Sequence, residues 1–354
     1  EAGASCAQPP PLIFNDMKEK IEWDDGEKEG VASGKGSTAV SVRTGHFASP
    51  LAKYLPEESK KCRFHYVQPG RNAVESDTKN NVVVIMLPAT GEVGKGARLG
   101  MAKKLAIEHG WSSAIITAPL YGARKPKDQS MFFIRNVNYF LLQSIAIIEE
   151  ATALACYFHS QDPANSRICF TGFSWGGAMT SCASTAAMLG GIPGEQIACV
   201  PYVGSATPAV FSDGMLKSSI DWDVMNADEE NRSLSRSELQ TKTNKIFYEF
   251  HLKHVLKILA DKREALLATS CDREYIDRNL TLGSLRIVAM KHDHIILKKY
   301  ADEMIDDLTT HATSVRSVCF PAQWLAGGHV MGALIKRRYQ VPAIVDGVNS
   351  ICRR

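Results

Sequence analysis

The chain has 354 residues, 45% hydrophobic and 22% charged, with 26 glycines and 15 prolines. This composition is globular and excludes a disordered, collagen-like or low-complexity chain. Its 41 basic and 38 acidic residues leave a formal net charge of +3, too near balance for a dedicated nucleic-acid binder.

Residues 1–35 read as a peripheral arm. Pro9, Pro10 and Pro11 are stiff, and residues 16–29 mix acids and lysines with few apolar anchors. Such a segment is expected to order against a protein partner. The run Gly30-Val31-Ala32-Ser33-Gly34-Lys35 is one residue short of a P-loop, and Gly36 stands where Ser or Thr would hold the metal, so nucleotide binding is not expected.

Residues 36–354 read as one α/β domain. The pattern predicts strands at 61–67, 82–87 and 114–118, and a helix over 94–109 closed by Gly110. A long helix over 137–161 is apolar enough to span a membrane, but Gln143, Glu149 and Glu150 interrupt it and favour a helix buried against a sheet. Then come a strand at 167–171, a helix at 175–189 and a strand at 197–203. Residues 213–280 are charged, helical and poor in strands. Strands return at 285–290 and 315–320, and a last helix from about 330 contains Pro342. The alternation predicts a mostly parallel central sheet covered by helices on both faces. The block at 213–280 reads as a helical cap inserted over the sheet's carboxyl edge, where such folds bind ligands. Its helix at 250–269 sets Lys253, Lys257, Lys262 and Arg263 opposite an apolar stripe. A solvated cap face explains this; peripheral membrane contact is the other reading.

Gly172-Phe173-Ser174-Trp175-Gly176 follows a predicted strand and opens a predicted helix, the context of a nucleophile elbow. A serine hydroxyl needs a base, and the base needs an acid to orient it. Such folds order the three as Ser, acid, His. Asp293 follows the strand at 285–290, and His329 follows the strand at 315–320 within Gly327-Gly328-His329. The catalytic candidates are therefore Ser174, Asp293 and His329. A rival reading takes His292, Asp293 and His294 as metal ligands, but no second ligand cluster accompanies them, and neither metal nor organic cofactor is expected. Of the nine cysteines, no pair has C-x-x-C spacing, and the odd, scattered set fits a reducing compartment better than disulfides or zinc. The oxyanion hole needs two N–H donors. Trp175 is one, and the second is expected in Pro88-Ala89-Thr90-Gly91-Glu92. Pro88 has no N–H, so Ala89 is the candidate, with Thr90 as the alternative. Tyr121 and Arg124, after a central strand, are candidates for binding a substrate phosphate; a loop tied down by the arginine is the competing and favoured reading.

The chain resembles the α/β-hydrolase domain-containing protein 18 family from about residue 45 onward. Gly45-His46-Phe47-Ala48-Ser49-Pro50 is similar to that family's G-x-F-x-S-P, and Leu87-Pro88-Ala89-Thr90-Gly91-Glu92 to its L-A-G-T-G-D turn. The stretch from Pro119 to Gln129, PLYGARKPKDQ, is similar to its P-x-Y-G-x-R-K-P-K-D-Q. Residues 214–222 and the final Gly327-Gly328-His329 match as well. The chain departs at Met86, where the family has histidine, and at Pro88-Ala89, where it has Ala-Gly. The resemblance implies an α/β-hydrolase fold with Ser174, Asp293 and His329 as its triad. It further implies a lipid or acyl-ester substrate, with deacylation of a phospholipid in a mitochondrial setting. The altered oxyanion turn supports an alternative, a weakened or inactive hydrolase-fold subunit of a mitochondrial membrane assembly.

Overall fold

The computed structural model describes residues 21–24, 40–70, 81–92, 94–127, 129, 137–212, 222, 233–269, 272–291, 293, 295–320 and 328–353. Among these, nine strands form one sheet. They are β1 (Glu22–Trp23), β2 (Val40–Ala48), β3 (Lys61–Pro69), β4 (Asn81–Leu87), β5 (Ser112–Thr117), β6 (Ser166–Phe173), β7 (Ile197–Tyr202), β8 (Ser284–Met290) and β9 (Val315–Phe320). Their spatial order is β1-β2-β3-β5-β4-β6-β7-β8-β9. Pairing is antiparallel from β1 to β5 and parallel from β5 to β9. The helices are α1 (Gly96–His109), α2 (Val137–Gln161), α3 (Trp175–Leu189), α4 (Arg236–Glu249), α5 (Leu252–Thr269), α6 (Arg273–Leu280), α7 (Lys298–Thr309) and α8 (Gly328–Cys352).

The run VVVIML of β4 is uniformly apolar because both of its faces are covered. Val82, Val84 and Met86 pack with Met101 and Leu105 of α1 and Ile344 and Val348 of α8. Val83, Ile85 and Leu87 pack on the other face with Leu154 of α2 and Ala183 of α3. The chain leaves β4 for β5 on one side and returns to β6 on the other. The crevice between the carboxyl ends of β4 and β6 is thus the topological switch point, where open α/β sheets place ligands.

α2 is the helix whose composition would suit a membrane, with a mean hydropathy of 1.3 over its best window, but 72% of that window is buried inside the fold. Two of its three polar interruptions have internal partners: Gln143 Nε2 donates to Pro119 O at 2.5 Å, and Glu150 pairs with Arg124.

The block at 213–280 was expected as a cap over the carboxyl edge. Its described part starts at the carboxyl end of β7 and runs over α3 on one side of the sheet. α4 packs on residues 208–211, just after β7 at the carboxyl end, and α5 packs on α3 and α7. α6 packs on the turn at 194–196 that precedes β7, where Arg278 pairs with Glu195 at 2.7 Å. The block therefore carries the chain from the carboxyl end of β7 to the amino end of β8, as a connection between parallel strands must. Residues 213–221 and 223–232 lie outside the described residues. Of the arm at 1–35, expected to order on a partner, residues 21–24 are described, and these pair with the protein's own sheet. Glu22 and Trp23 pair with His46 and Gly45, and the Trp23 ring lies 5.4 Å from Phe64 and beneath the Arg43 guanidinium.

Candidate active site

Strand β6 delivers Ser174 to the crevice and α3 departs from it. Ser174 has φ 59° and ψ −120°, a backbone region that non-glycine residues enter at a cost of about 1–3 kcal/mol. The surrounding bonds hold it there: Ser174 N donates to Tyr202 O at 2.9 Å, and Gly177 N and Ala178 N donate to Ser174 O at 2.8 and 3.1 Å. The turn closes only because its flanks lack side chains. A Cβ on Gly172 would lie 2.4 Å from Gly176 O, and one on Gly176 would lie 2.6 Å from Pro88 O. The motif thus has the strained strand–turn–helix geometry that exposes a nucleophile.

Asp293 lies just beyond β8. Its Oδ1 accepts from Ile295 N at 2.8 Å and Ile296 N at 2.9 Å, so the local backbone holds the carboxylate. His329 is the second residue of α8, which begins after β9. Its side chain, like His292 and His294, lies outside the described residues. Among the described residues no cluster of metal-ligating side chains occurs.

Trp175 opens α3. The first N–H groups of a helix have no intrahelical acceptor, and that of Trp175 has none among the described residues. Its indole is anchored away from the crevice: Nε1 donates to Ser144 Oγ at 3.0 Å, and the ring packs between Phe140 and Phe211. Behind it, a cavity of about 70 Å³ lies between α3 and the α4–α5 junction, lined by Met179, Cys182, Ala206, Phe250 and Val255.

The oxyanion assignment to Ala89 is corrected. Its N–H donates to Glu92 Oε2 at 3.0 Å. Pro88 O faces the Cα of Gly176, and across a trans peptide the Ala89 N–H points the opposite way. Composition alone did not mark Glu92 or Arg98 for this role. Arg98 Nε donates to Glu92 Oε1 at 2.9 Å, and its Nη1 donates to Met86 O and Ile116 O, each at 2.8 Å. The visible signal is an arginine in the first turn of α1, six residues past the acid.

The substrate-binding expectation for Arg124 is also corrected. The side chain is buried, and its Nη atoms are spent on Glu150, Thr117 O and Ser59 O at 2.6–2.8 Å. Tyr121 is buried as well. Burial pushes its phenol up to about 12.

Comparison with known proteins agrees with this architecture. The model of the family described as alpha/beta hydrolase domain containing 18 matches residues 15–350. Among solved structures, a ligand-bound form of the rice cell wall degrading esterase LipA from Xanthomonas oryzae is similar over 89% of this chain and 92% of its own, at 11% identity and a TM-score of 0.50. A putative dipeptidyl aminopeptidase IV from Bacteroides ovatus is similar over 87% of this chain and 36% of its own, at 15% identity and the same TM-score. At such identities these likenesses concern the fold.

Proposed function

For a chain that belongs to the alpha/beta hydrolase domain containing 18 family, we propose the activity of a serine hydrolase of esterase type acting through Ser174, Asp293 and His329. The observation that carries the reading is the φ of 59° at Ser174, held between β6 and α3 at the switch point of the sheet. Ser174 Oγ bonds to the acyl carbon while its proton passes to His329, whose ring Asp293 orients. The carbonyl π pair moves onto oxygen, where backbone N–H groups including that of Trp175 stabilise it. Collapse breaks the bond to the alcohol oxygen, which takes the proton from His329. Water then repeats the sequence, freeing the acid and Ser174. We assign as substrate an acyl ester of a phospholipid in a mitochondrial setting, on the strength of the family resemblance. Fluorophosphonate labelling and turnover of a p-nitrophenyl acyl ester by the full chain test the reading; both should vanish in Ser174→Ala, and labelling that persists would sink it.

The engagement of the Ala89 N–H by Glu92 favours a second reading, in which the fold serves as a weakened hydrolase subunit of a membrane-associated assembly. Monodisperse protein that turns over esters at ordinary enzymic rates counts against it.

A further inference from the structure

We propose that the open edge of β9 is a docking strand for an extended, acidic segment of a partner protein, which adds to the sheet and sets side chains in the groove beside α8. β9 ends the sheet and pairs on one side only, with β8. An open edge recruits other chains, so sheets blunt theirs with short strands, charges, bulges, prolines or a covering helix. The opposite edge is blunted: β1 has two residues, carries Glu22 and is followed by Asp24. β9 pairs with β8 over six residues without a bulge or a proline. α8 packs on β6, β7 and β8, and Val315, Arg316, Ser317 and Val318 are all exposed. Leu285 N donates to Ser314 O at 2.8 Å, which fixes the alternation along the strand. Arg316 and Val318 turn their main-chain groups toward β8, and Val315 and Ser317 turn theirs to the open edge.

The groove has an apolar lining that includes Val318, Pro342 and Ala343, and a volume of about 190 Å³. Arg286, Arg316 and Arg338 are its cations and Asp346 its acid. Asp346 Oδ2 accepts from Arg286 Nε at 2.6 Å and from Arg316 Nη1 at 3.1 Å, so one carboxylate answers two guanidiniums. Arg338 lies beside the Tyr339 ring, and no acid pairs with it among the described residues. Three arginines against one aspartate leave the groove positive, and this charge selects the occupant. A twofold pairing of β9 with a second copy would set the same positive patch against itself, and like charges across an interface oppose association. A lipid surface would meet the arginines but leave the outward N–H and C=O groups of Val315 and Ser317 unused. An extended segment with a carboxylate opposite Arg316 and an apolar side chain opposite Val318 satisfies both, since main-chain bonds hold it and alternate side chains enter the groove.

The probe is a fluorescein-labelled peptide of repeated Val-Thr-Glu-Thr units, which as a strand alternates apolar and acidic side chains on one face. Its control carries Lys in place of Glu. Fluorescence anisotropy with the full chain should show the acidic peptide bound, and the control weaker by about tenfold or more. Ser317→Pro deletes an N–H that faces the open edge, a place where a strand tolerates proline. It should melt like the wild type and bind the acidic peptide about tenfold or more weakly. Arg316→Glu should abolish the preference for the acidic peptide or reverse it. A wild type that binds neither peptide, or both equally, overturns the proposal, as does a folded Ser317→Pro variant that binds like the wild type. Should Ser317→Pro fail to fold, the charge reversal decides: an Arg316→Glu variant that keeps the wild-type preference overturns the proposal. Sedimentation velocity and flotation with phosphatidylglycerol vesicles test the other occupants. A dimer abolished by Ser317→Pro assigns the edge to a second copy, and vesicle binding abolished by Arg316→Glu in a protein that binds no peptide assigns the groove to a lipid surface; either result overturns the proposal. None of these readouts depends on ester hydrolysis, so the hydrolase reading stands or falls apart from this one.

Discussion

Arg124 and Glu150 face each other through two hydrogen bonds of 2.8 and 2.6 Å, with both side chains withdrawn from solvent. The pair fastens the loop after β5 to the middle of α2. Arg124 also donates to Ser59 O, and Ser59 Oγ returns a bond to Arg124 O at 2.6 Å. Removing one member of such a pair leaves the other charge buried and alone, at a cost of about 3–5 kcal/mol. Arg124→Ala and Glu150→Ala should each lower the unfolding free energy in urea by roughly that amount, with KM for an ester unchanged per folded molecule. An Arg124→Ala protein of wild-type stability with a raised KM would return Arg124 to the substrate.

The glycines of the elbow make a sharper contrast. Gly172→Ala and Gly176→Ala place a methyl against backbone oxygens that cannot retreat without moving β4 or α3. Overpacking of this kind costs about 1–3 kcal/mol, and the displaced Ser174 should lose activity beyond what stability explains. At Gly94, a Cβ meets nothing within 4 Å, so Gly94→Ala should stay within about 0.5 kcal/mol of wild type. Chemical denaturation of the three variants checks the ranking.

The parts of the fold legible in the sequence are those whose local pattern matches their surroundings. VVVIML is apolar throughout because β4 is covered twice, and the Gly-x-Ser-x-Gly spacing announces the elbow because the strain is local. β2 was not anticipated: Val40 and Val42 are buried on one face and Phe47 on the other, and Arg43, Gly45 and His46 between them break the alternation. The helical block shows amphipathic faces at Leu252, Leu256 and Leu259, yet periodicity does not say whether such a face meets α3 or the sheet's edge. Ala89 was misassigned because the orientation of its peptide depends on a carbonyl packed against Gly176 and a carboxylate clamped by Arg98, both set by tertiary contacts.

His65 gives the stability a pH dependence. Burial, then Lys95, Arg63 and Arg98, hold its imidazole down to about 4, against an ordinary value of 6.5. Lys95 Nζ lies 3.3 Å from its Nδ1, and Thr44 Oγ1 lies 3.2 Å away. The unfolded chain takes up this proton at higher pH than the folded one. The contribution to stability is therefore full above pH 6.5 and is lost as pH falls from there through about 4. After solvent screening it amounts to about 2 kcal/mol. Urea midpoints at pH 7.5 and pH 4.5 should converge in His65→Gln relative to wild type; an identical pH dependence in the variant would show that His65 is not the titrating group.

Asp293 separates a structural from a catalytic acid. Its Oδ1 accepts from two consecutive backbone N–H groups, and an asparagine keeps an oxygen for both. Asp293→Asn should therefore preserve the turn after β8 and melt like the wild type. What it loses is the negative charge that selects the tautomer of the base and stabilises the imidazolium formed when Ser174 gives up its proton. In a working triad that loss is worth about 10⁴ in kcat. Ester hydrolysis should drop by about that factor while KM stays near wild type. Asp293→Ala, which also releases the Ile295 and Ile296 N–H groups, should be no slower than Asp293→Asn but less stable. If Asp293→Asn keeps wild-type kcat, the carboxylate only caps the backbone, and the acid of the triad must be sought elsewhere.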